Sequence, residues 1–276
     1  MIIMILGMHR SGTSTISGVL HMNQIIMGTY QNFWPRPLSQ NPKGFYENYD
    51  FRKINDQLLK RSGYDVKSYS TNIPEINKSD KLSNKMKVLI EKSNLSYSDW
   101  GWKDPRTCLT AMHWANAIEE LNLGMELKII FMARKASSVS RSLKKRNNLS
   151  IEQGLSIWES YTKKALNFLE QTTYPRYYCS FEDLLKEPVQ VCSSLFNFIG
   201  EYWDSQIVEK FIDPSISTSE QGNQFSYPSK IITLEKKIYS LINFLIKSQM
   251  PRKLFLKIKK KIKVLLLYKI YVVLIN

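Results

Sequence analysis

Cysteine is scarce in this chain: Cys108, Cys179 and Cys192 are the only three in 276 residues. Three cysteines at that spacing match neither a disulfide framework nor a zinc site, so a reducing, cytoplasmic setting is expected. Long apolar runs are also missing; none approaches the roughly 20 residues a membrane span requires. Met1 to Leu6 is apolar but carries no basic residue ahead of it. It is shorter than the core of a secretory leader, and Gly7-Met8-His9-Arg10 ends it. No internal repeat is visible, and no helix-turn-helix, RNA-binding or zinc signature, so nucleic-acid binding is not expected. Acidic residues are outnumbered, 24 against 39 Lys and Arg, for a formal net charge of +15. That excess favours an anionic partner without choosing among a phosphorylated cofactor, an anionic glycan and a membrane surface.

What is present suits one good-sized α/β domain. Hydrophobic residues make up 43% and charged residues 23%, an ordinary globular balance. Met1 to Leu6 reads as a strand buried on both faces, as in a parallel sheet. A turn follows at Gly7 to Gly12, then a helix from Thr13 to Met22. Residues 28–50, rich in Pro, Asn and aromatics, read as an irregular loop with a short extended piece at Gly44 to Glu47. Asp50 is placed to cap a helix reaching about Leu59. A helix is expected around Lys81 to Glu91, a strand at Gly101 to Asp104, and a helix from Thr107 to Leu121. Leu127 to Ala133 is the second clear buried strand. Helices at 136–146 and 151–171, a strand at Tyr177 to Phe181 and a helix at Val189 to Ile199 complete the pattern. From residue 232 the chain turns helical, basic and apolar. Strands separated by helices predict a P-loop-like, three-layer α/β domain over residues 1–215, with a mostly parallel central sheet. Residues 216–276 form a C-terminal helical extension.

Gly7-Met8-His9-Arg10-Ser11-Gly12-Thr13-Ser14 has the frame of a Walker A loop, with Thr13 where that motif has lysine. Backbone N–H groups of such a loop, opening a helix, still form an anion cradle. Arg10 adds a fixed positive charge beside the bound group. The alternative is a Gly-containing turn with no ligand.

The same loop resembles the 5′-phosphosulfate loop of sulfotransferases that use 3′-phosphoadenosine 5′-phosphosulfate (PAPS), in particular the bacterial-type families. Further segments resemble that family in the same order: Asn41 to Asn48, Gly101 to Arg106, Arg134 with Ser142, and Tyr178 to Pro188. The resemblance covers roughly residues 1–215. It implies PAPS as co-substrate, no metal requirement, and transfer of a sulfuryl group to an acceptor hydroxyl. His9, Arg10, Ser11, Gly12, Thr13 and Ser14 would hold the 5′-phosphosulfate. Arg134 and Ser142 would hold the 3′-phosphate, the first as a bidentate fork and the second through one donor. Arg10 would stabilise the leaving oxygen. The family often has lysine there.

An acceptor hydroxyl needs a base. Glu47 is the first candidate, because an acidic residue in the corresponding segment serves as base in several glycan-directed sulfotransferases. Its structural alternative is a loop carboxylate paired with Lys43 or Arg52. Asp104 is the second candidate; His9, His21 and His113 follow, the last two as packed helical positions. Some relatives use a histidine two residues after the lysine that aligns with Lys103, but Pro105 stands there. Lys103 would contact the transferring group or the acceptor. Lys43 and Arg106 would bind the acceptor, unless Arg106 simply pairs with Asp104. Lys135, Arg141, Lys144, Lys145 and Arg146 read as a solvated or electrostatic face with no special role. Residues 62–99 and the C-terminal region are expected to shape the acceptor pocket, and Gln221-Gly222-Asn223 to stand in for a late glycine-rich motif. The segment Asn41 to Asn48 favours a carbohydrate acceptor by the same analogy.

The tail from Arg252 to Lys263, followed by the mostly apolar Val264 to Ile275, reads two ways: a packed terminal helix, or an interfacial helix on anionic lipid. A P-loop kinase or NTPase is the alternative enzyme. It is opposed by Thr13 and by the lack of an acid after Leu127 to Ala133 to hold Mg²⁺. A non-enzymatic membrane-surface protein is the alternative outside enzymes.

Overall fold

In the computed structural model, which describes residues 1–38, 41–213 and 227–248, four strands form one parallel sheet. They are β1 (Ile2–Leu6), β2 (Trp100–Lys103), β3 (Leu127–Ala133) and β4 (Arg176–Ser180), in the order β2-β1-β3-β4. β1 lies between β2 and β3, with Ile2 in register with Trp100 on one side and Leu127 on the other. Each of its five residues is fully buried. Successive side chains of a strand point to opposite faces, so β1 feeds two cores at once. Ile2, Met4 and Leu6 join one cluster; Ile3 and Ile5 join the other.

Helices cover both faces, as the alternating pattern predicts. On the Ile3 face lie α1 (Thr13–Met22), α8 (Pro188–Ile199) and α9 (Ser205–Phe211), preceded in the chain by the short α7 (Phe181–Lys186). On the Ile2 face lie α2 (Tyr49–Arg61), α3 (Asp80–Ser96), α4 (Thr107–Glu120), α5 (Ala136–Asn147) and α6 (Ile151–Gln171). The last described helix, α10 (Ser229–Ser248), sends Ile231, Leu234, Ile238 and Ile242 into that same core. Gln221-Gly222-Asn223 and the basic tail from Arg252 to Ile275 lie outside the described residues. Among the described residues no helix is long and apolar enough to cross a membrane.

The local signals explain the boundaries. Ser150 and Gln153 form a reciprocal capping box that starts α6. Pro188 opens α8, and Gly200 ends it at φ 81°, a left-handed conformation glycine adopts freely. α2 is longer than expected at both ends, beginning at Tyr49 and running past Leu59 to Arg61. Asn48, not Asp50, caps it, its side chain accepting from the Asp50 N–H at 3.0 Å. Asp50 lies in the first turn, where its charge favours the helix dipole and its carboxylate accepts from Asn32 at 2.9 Å. The expected extended piece at Gly44 to Glu47 is not a strand. Gly44 (φ 93°) and Tyr46 (φ 52°) turn the backbone there, and pairing is confined to single bridges, Phe33 with Asn48 and Leu38 with Asn41.

β2 is locked to α2 and α4 by rings and by one amide. Phe51 stacks on Trp102 at 4.9 Å and on Trp114 at 4.8 Å; such pairs add about 0.5–1.5 kcal/mol each beyond their buried area. Asn55 is fully buried and donates to Asp104 at 2.8 Å and to Thr107 at 3.1 Å. Its own oxygen accepts from Thr110 at 2.7 Å and Trp114 at 2.8 Å. A buried polar group costs stability unless it is bonded, and this one is.

Candidate active site

The C-terminal ends of all four strands meet at one cavity of about 150 Å³, where ligands of open α/β sheets bind. The loop after β1 forms its floor. Gly12 caps α1 at φ 84°, and a Cβ there would run into the Phe181 ring. Gly7 is equally confined: a Cβ would come within 2.7 Å of the Met132 carbonyl oxygen. Arg10 itself sits at φ 68°, a conformation few non-glycine residues adopt away from functional loops. The loop is therefore built so that backbone, not side chain, fills the turn. The start of α1 lines the cavity through Thr13, Ser14 and Thr15, with no carboxylate in its first turn.

Most of the nominated residues reach this wall. His9, Arg10, Gly12, Thr13 and Ser14 line it from the loop, Lys43 and Glu47 from the segment before α2. Lys103 lines it from the end of β2 and Arg134 from the end of β3. Ser11 is buried beneath the loop. Ser142 is not on the wall but is joined to it: Arg10 Nε donates to Ser142 Oγ at 2.7 Å. Arg134 donates through Nη1 to the Arg10 carbonyl at 2.7 Å, and its guanidinium lies 4.7 Å from the centre of the Phe181 ring. Its Nε is enclosed without a partner. The two groups assigned to opposite ends of the nucleotide are thus wired together through the loop backbone.

Asp104 and Arg106 do not line the cavity. Asp104 is fully buried beneath it, bonded to Arg106 at 2.6 Å and to Asn55. Burial alone would raise its carboxyl, but the Arg106 guanidinium and the Asn55 amide hold it below its ordinary value. Arg106 also meets Asp56 at 2.8 Å. Of its two readings, the pair with Asp104 is the one formed.

Glu47 is paired with neither Lys43 nor Arg52. Its partner is Lys103, whose ammonium lies 2.9 Å from Glu47 Oε1 and 3.2 Å from Ser14 Oγ. Lys103 is only 1% exposed, so this is a nearly dry ion pair bridging the loop and the segment before α2. Lys43 donates instead to backbone carbonyls at the end of α9, and Arg52 faces Asp56 at 3.9 Å.

Arg146, expected only as part of a solvated or electrostatic face with no special role, lines the cavity. It stands one helical turn beyond Ser142, at i+4, which places both on one face of α5. With it the wall carries five basic side chains, Arg10, Lys43, Lys103, Arg134 and Arg146, against the carboxylates of Glu47 and Asp213. The crowding is visible in Arg10. Burial first, then Arg146 and Arg134, lower its guanidinium to about 10, so it stays charged at neutral pH. His9 is pushed down to about 3, chiefly by burial and next by Arg106, and is neutral at pH 7. Its Nε2 is enclosed without a partner, and its ring packs edge-on to Tyr161 at 5.7 Å. His21 and His113 are packed helical positions as read, each with a backbone partner. The pocket's outer wall comes from residues 41–47 and 211–213; no residue of 62–99 lines it.

No model of a known protein family matches the chain, and no curated protein does. Solved structures do. The sulfotransferase domain from the Synechococcus PCC 7002 olefin synthase matches with a TM-score of 0.55 at 17% identity, over 86% of this chain and 94% of that one. The sulfotransferase domain from the curacin biosynthetic pathway matches with a TM-score of 0.53 at 19% identity, over 86% and 97%. The chain has the fold of sulfotransferase domains. Both neighbours are sulfotransferase domains, and at 17% and 19% identity the likeness is one of fold.

Proposed function

We propose that this chain is a sulfotransferase that moves the sulfuryl group of PAPS to an acceptor hydroxyl, with a carbohydrate as the acceptor class. The observation that carries the reading is the chain of contacts from Ser142 through Arg10 to Arg134. It joins the loop before α1 to the end of β3 and the face of α5, the two places where the resemblance expects anionic groups. PAPS carries anionic groups at both ends, and the residues present fit them. The loop and Arg10 take the 5′-phosphosulfate. Arg134, with Ser142, takes the 3′-phosphate, and Arg146 adds charge on the same side.

In the reaction the acceptor oxygen bonds to sulfur while the bond from sulfur to the bridging phosphate oxygen breaks. Negative charge grows on that bridging oxygen, and Arg10 is the fixed cation beside it. Lys103 stands between Ser14 and Glu47, where it serves the transferring group and orients the carboxylate. Glu47 takes the acceptor proton; it is on the wall, whereas Asp104 is bonded away from it. Lys43 stands at the acceptor side of the same wall.

Calorimetry with 3′-phosphoadenosine 5′-phosphate (PAP) and with ADP tests the nucleotide assignment. PAP is expected to bind at least roughly tenfold more tightly, a difference of one good charged contact. Equal affinities would return the chain to the kinase or NTPase reading. Transfer of labelled sulfate from PAPS to glycans, peptides and small alcohols then tests the activity. In that assay Glu47→Gln is expected to lose roughly 10²–10⁴-fold in rate. Loss with Asp104→Asn while Glu47→Gln stays near wild type would reverse the assignment of the base.

A further inference from the structure

Residues 28–38 and 41–50 run as a strap from α1 to α2 along the edge of the cavity. Its inner side is anchored by rings: Phe33 packs on His21 and on Tyr46, each pair 5.3 Å apart. Its outer side carries three large rings that are exposed among the described residues. Tyr30 is 68% exposed, Trp34 50% and Tyr49 44%. Two of them are tied through the backbone to the residue that carries the wall carboxylate, Glu47. The Trp34 N–H donates to the Glu47 carbonyl at 2.9 Å, and Tyr49 follows Glu47 by two residues. The Asn32–Asp50 bond draws the Tyr30 turn against the start of α2. Large exposed rings grouped beside a cleft mark a binding surface, because leaving them in water serves no packing purpose.

Two cations lie against these rings. The Arg36 guanidinium lies 4.4 Å from the centre of the Tyr30 ring, and the Lys53 ammonium 6.0 Å from that of Tyr49. Of the two carboxylates nearby, Glu47 is paired with the Lys103 ammonium, while Asp50 keeps its charge and accepts from the Asn32 amide. The surface is thus aromatic and cationic, and open rather than enclosed. An acyl chain gains little on an open surface, since it must be surrounded to leave water. A pyranose ring stacks its C–H face on one aromatic ring and keeps its hydroxyls hydrated.

Resting on the sulfotransferase reading above, we propose that the outer face of this strap is the acceptor subsite and takes the sugar rings of an acidic oligosaccharide. Trp34 and Tyr49 stack the rings nearest the reacting hydroxyl, and Arg36 and Lys53 hold the carboxylate or sulfate groups of the chain.

Titration of the PAP-loaded protein with a chondroitin hexasaccharide, its carboxyl-reduced counterpart and octanol tests this. The acidic hexasaccharide is expected to bind and to accept sulfate, and the reduced one to bind several-fold more weakly. Trp34→Ala and Tyr49→Ala are each expected to raise the acceptor Kd and KM roughly tenfold, the worth of one stacked ring. Trp34→Phe should retain most of the affinity, and PAP binding reports that each variant is folded. The inference is overturned if hexasaccharide binding is indifferent to Trp34→Ala. Sulfation of octanol with no binding of either sugar would overturn it too, while leaving the sulfotransferase reading intact. Hexasaccharide binding that depends on Trp34 in a protein that ignores PAP would keep this surface and sink the enzyme reading.

Discussion

Replacing Lys103 with Met removes the cation from the pair it forms with Glu47 while keeping the length of the side chain. The pair is closely made, 2.9 Å, with Lys103 1% and the Glu47 side chain 10% exposed. Removing one partner of a buried pair typically costs about 3–5 kcal/mol, because the other charge stays behind without compensation. Here the pair borders a cavity that admits water, so the lower end applies, about 3 kcal/mol. For a domain of this size that corresponds to a fall of about 6–12 °C in Tm. The same substitution strips Ser14 of its bond at 3.2 Å and removes a cation from the anion site. PAP affinity should fall along with Tm. Glu47→Gln alone leaves a neutral amide beside Lys103 and should cost less. The double variant Lys103→Met/Glu47→Gln removes both charges and should recover at least half of the Tm lost by Lys103→Met, without recovering PAP affinity or turnover. Thermal unfolding of the four proteins, followed by calorimetry with PAP, closes the cycle. If Lys103→Met melts with the wild type, or if the two losses simply add, the ion pair is not what holds the strap to the loop.

Three other expectations follow from the geometry. Gly12→Ala forces a side chain onto a left-handed residue and against Phe181, the ring under Arg134; it should destabilise the fold by about 1–3 kcal/mol and weaken PAP binding more than tenfold by calorimetry. His9 is held at about 3 in the folded state, against about 6.5 when unfolded, so the unfolded chain binds the extra proton between those values. Stability should therefore be full above about pH 6.5 and fall as the pH drops towards 3, at most about 1.4 kcal/mol per pH unit from this group; His9→Gln should flatten that slope in urea titrations, and an unchanged slope would mean the ring is protonated in the fold. Glu235 of α10 accepts from the Ala136 N–H at 2.7 Å at the start of α5, just after Arg134, so Glu235→Ala should cost about 0.5–2 kcal/mol in urea unfolding and also raise the KM for PAPS, whereas a change in stability alone would separate α10 from the nucleotide site.

The elements next to the site were the easiest to read from the sequence. β1 is a continuous apolar run, and β3 is one interrupted only by Lys128, because a central parallel strand is buried on both faces; α1 follows a glycine-containing loop. Those are local constraints, written into consecutive residues, and they carried the layer order and the glycine loop at the floor of the cavity. What the sequence left open was every choice between chemically equal candidates. Asn48 and Asp50 are both good helix caps; the bridge from Phe33 to Asn48 and the bond from Asn32 to Asp50 decide between them. Glu47 and Asp104 are both acids beside a glycine-containing segment. Only the fold shows that Asn55 and Arg106 bind Asp104 beneath the cavity, while Lys103, 56 residues from Glu47, holds that carboxylate on the wall. Arg146 lay in a run of basic residues with nothing to set it apart, although its spacing of four from Ser142 on a helix was the available signal. Side chains that are equivalent along the chain become different once folding gives one of them a partner and the other a cavity, and that difference is set by contacts between segments far apart in sequence.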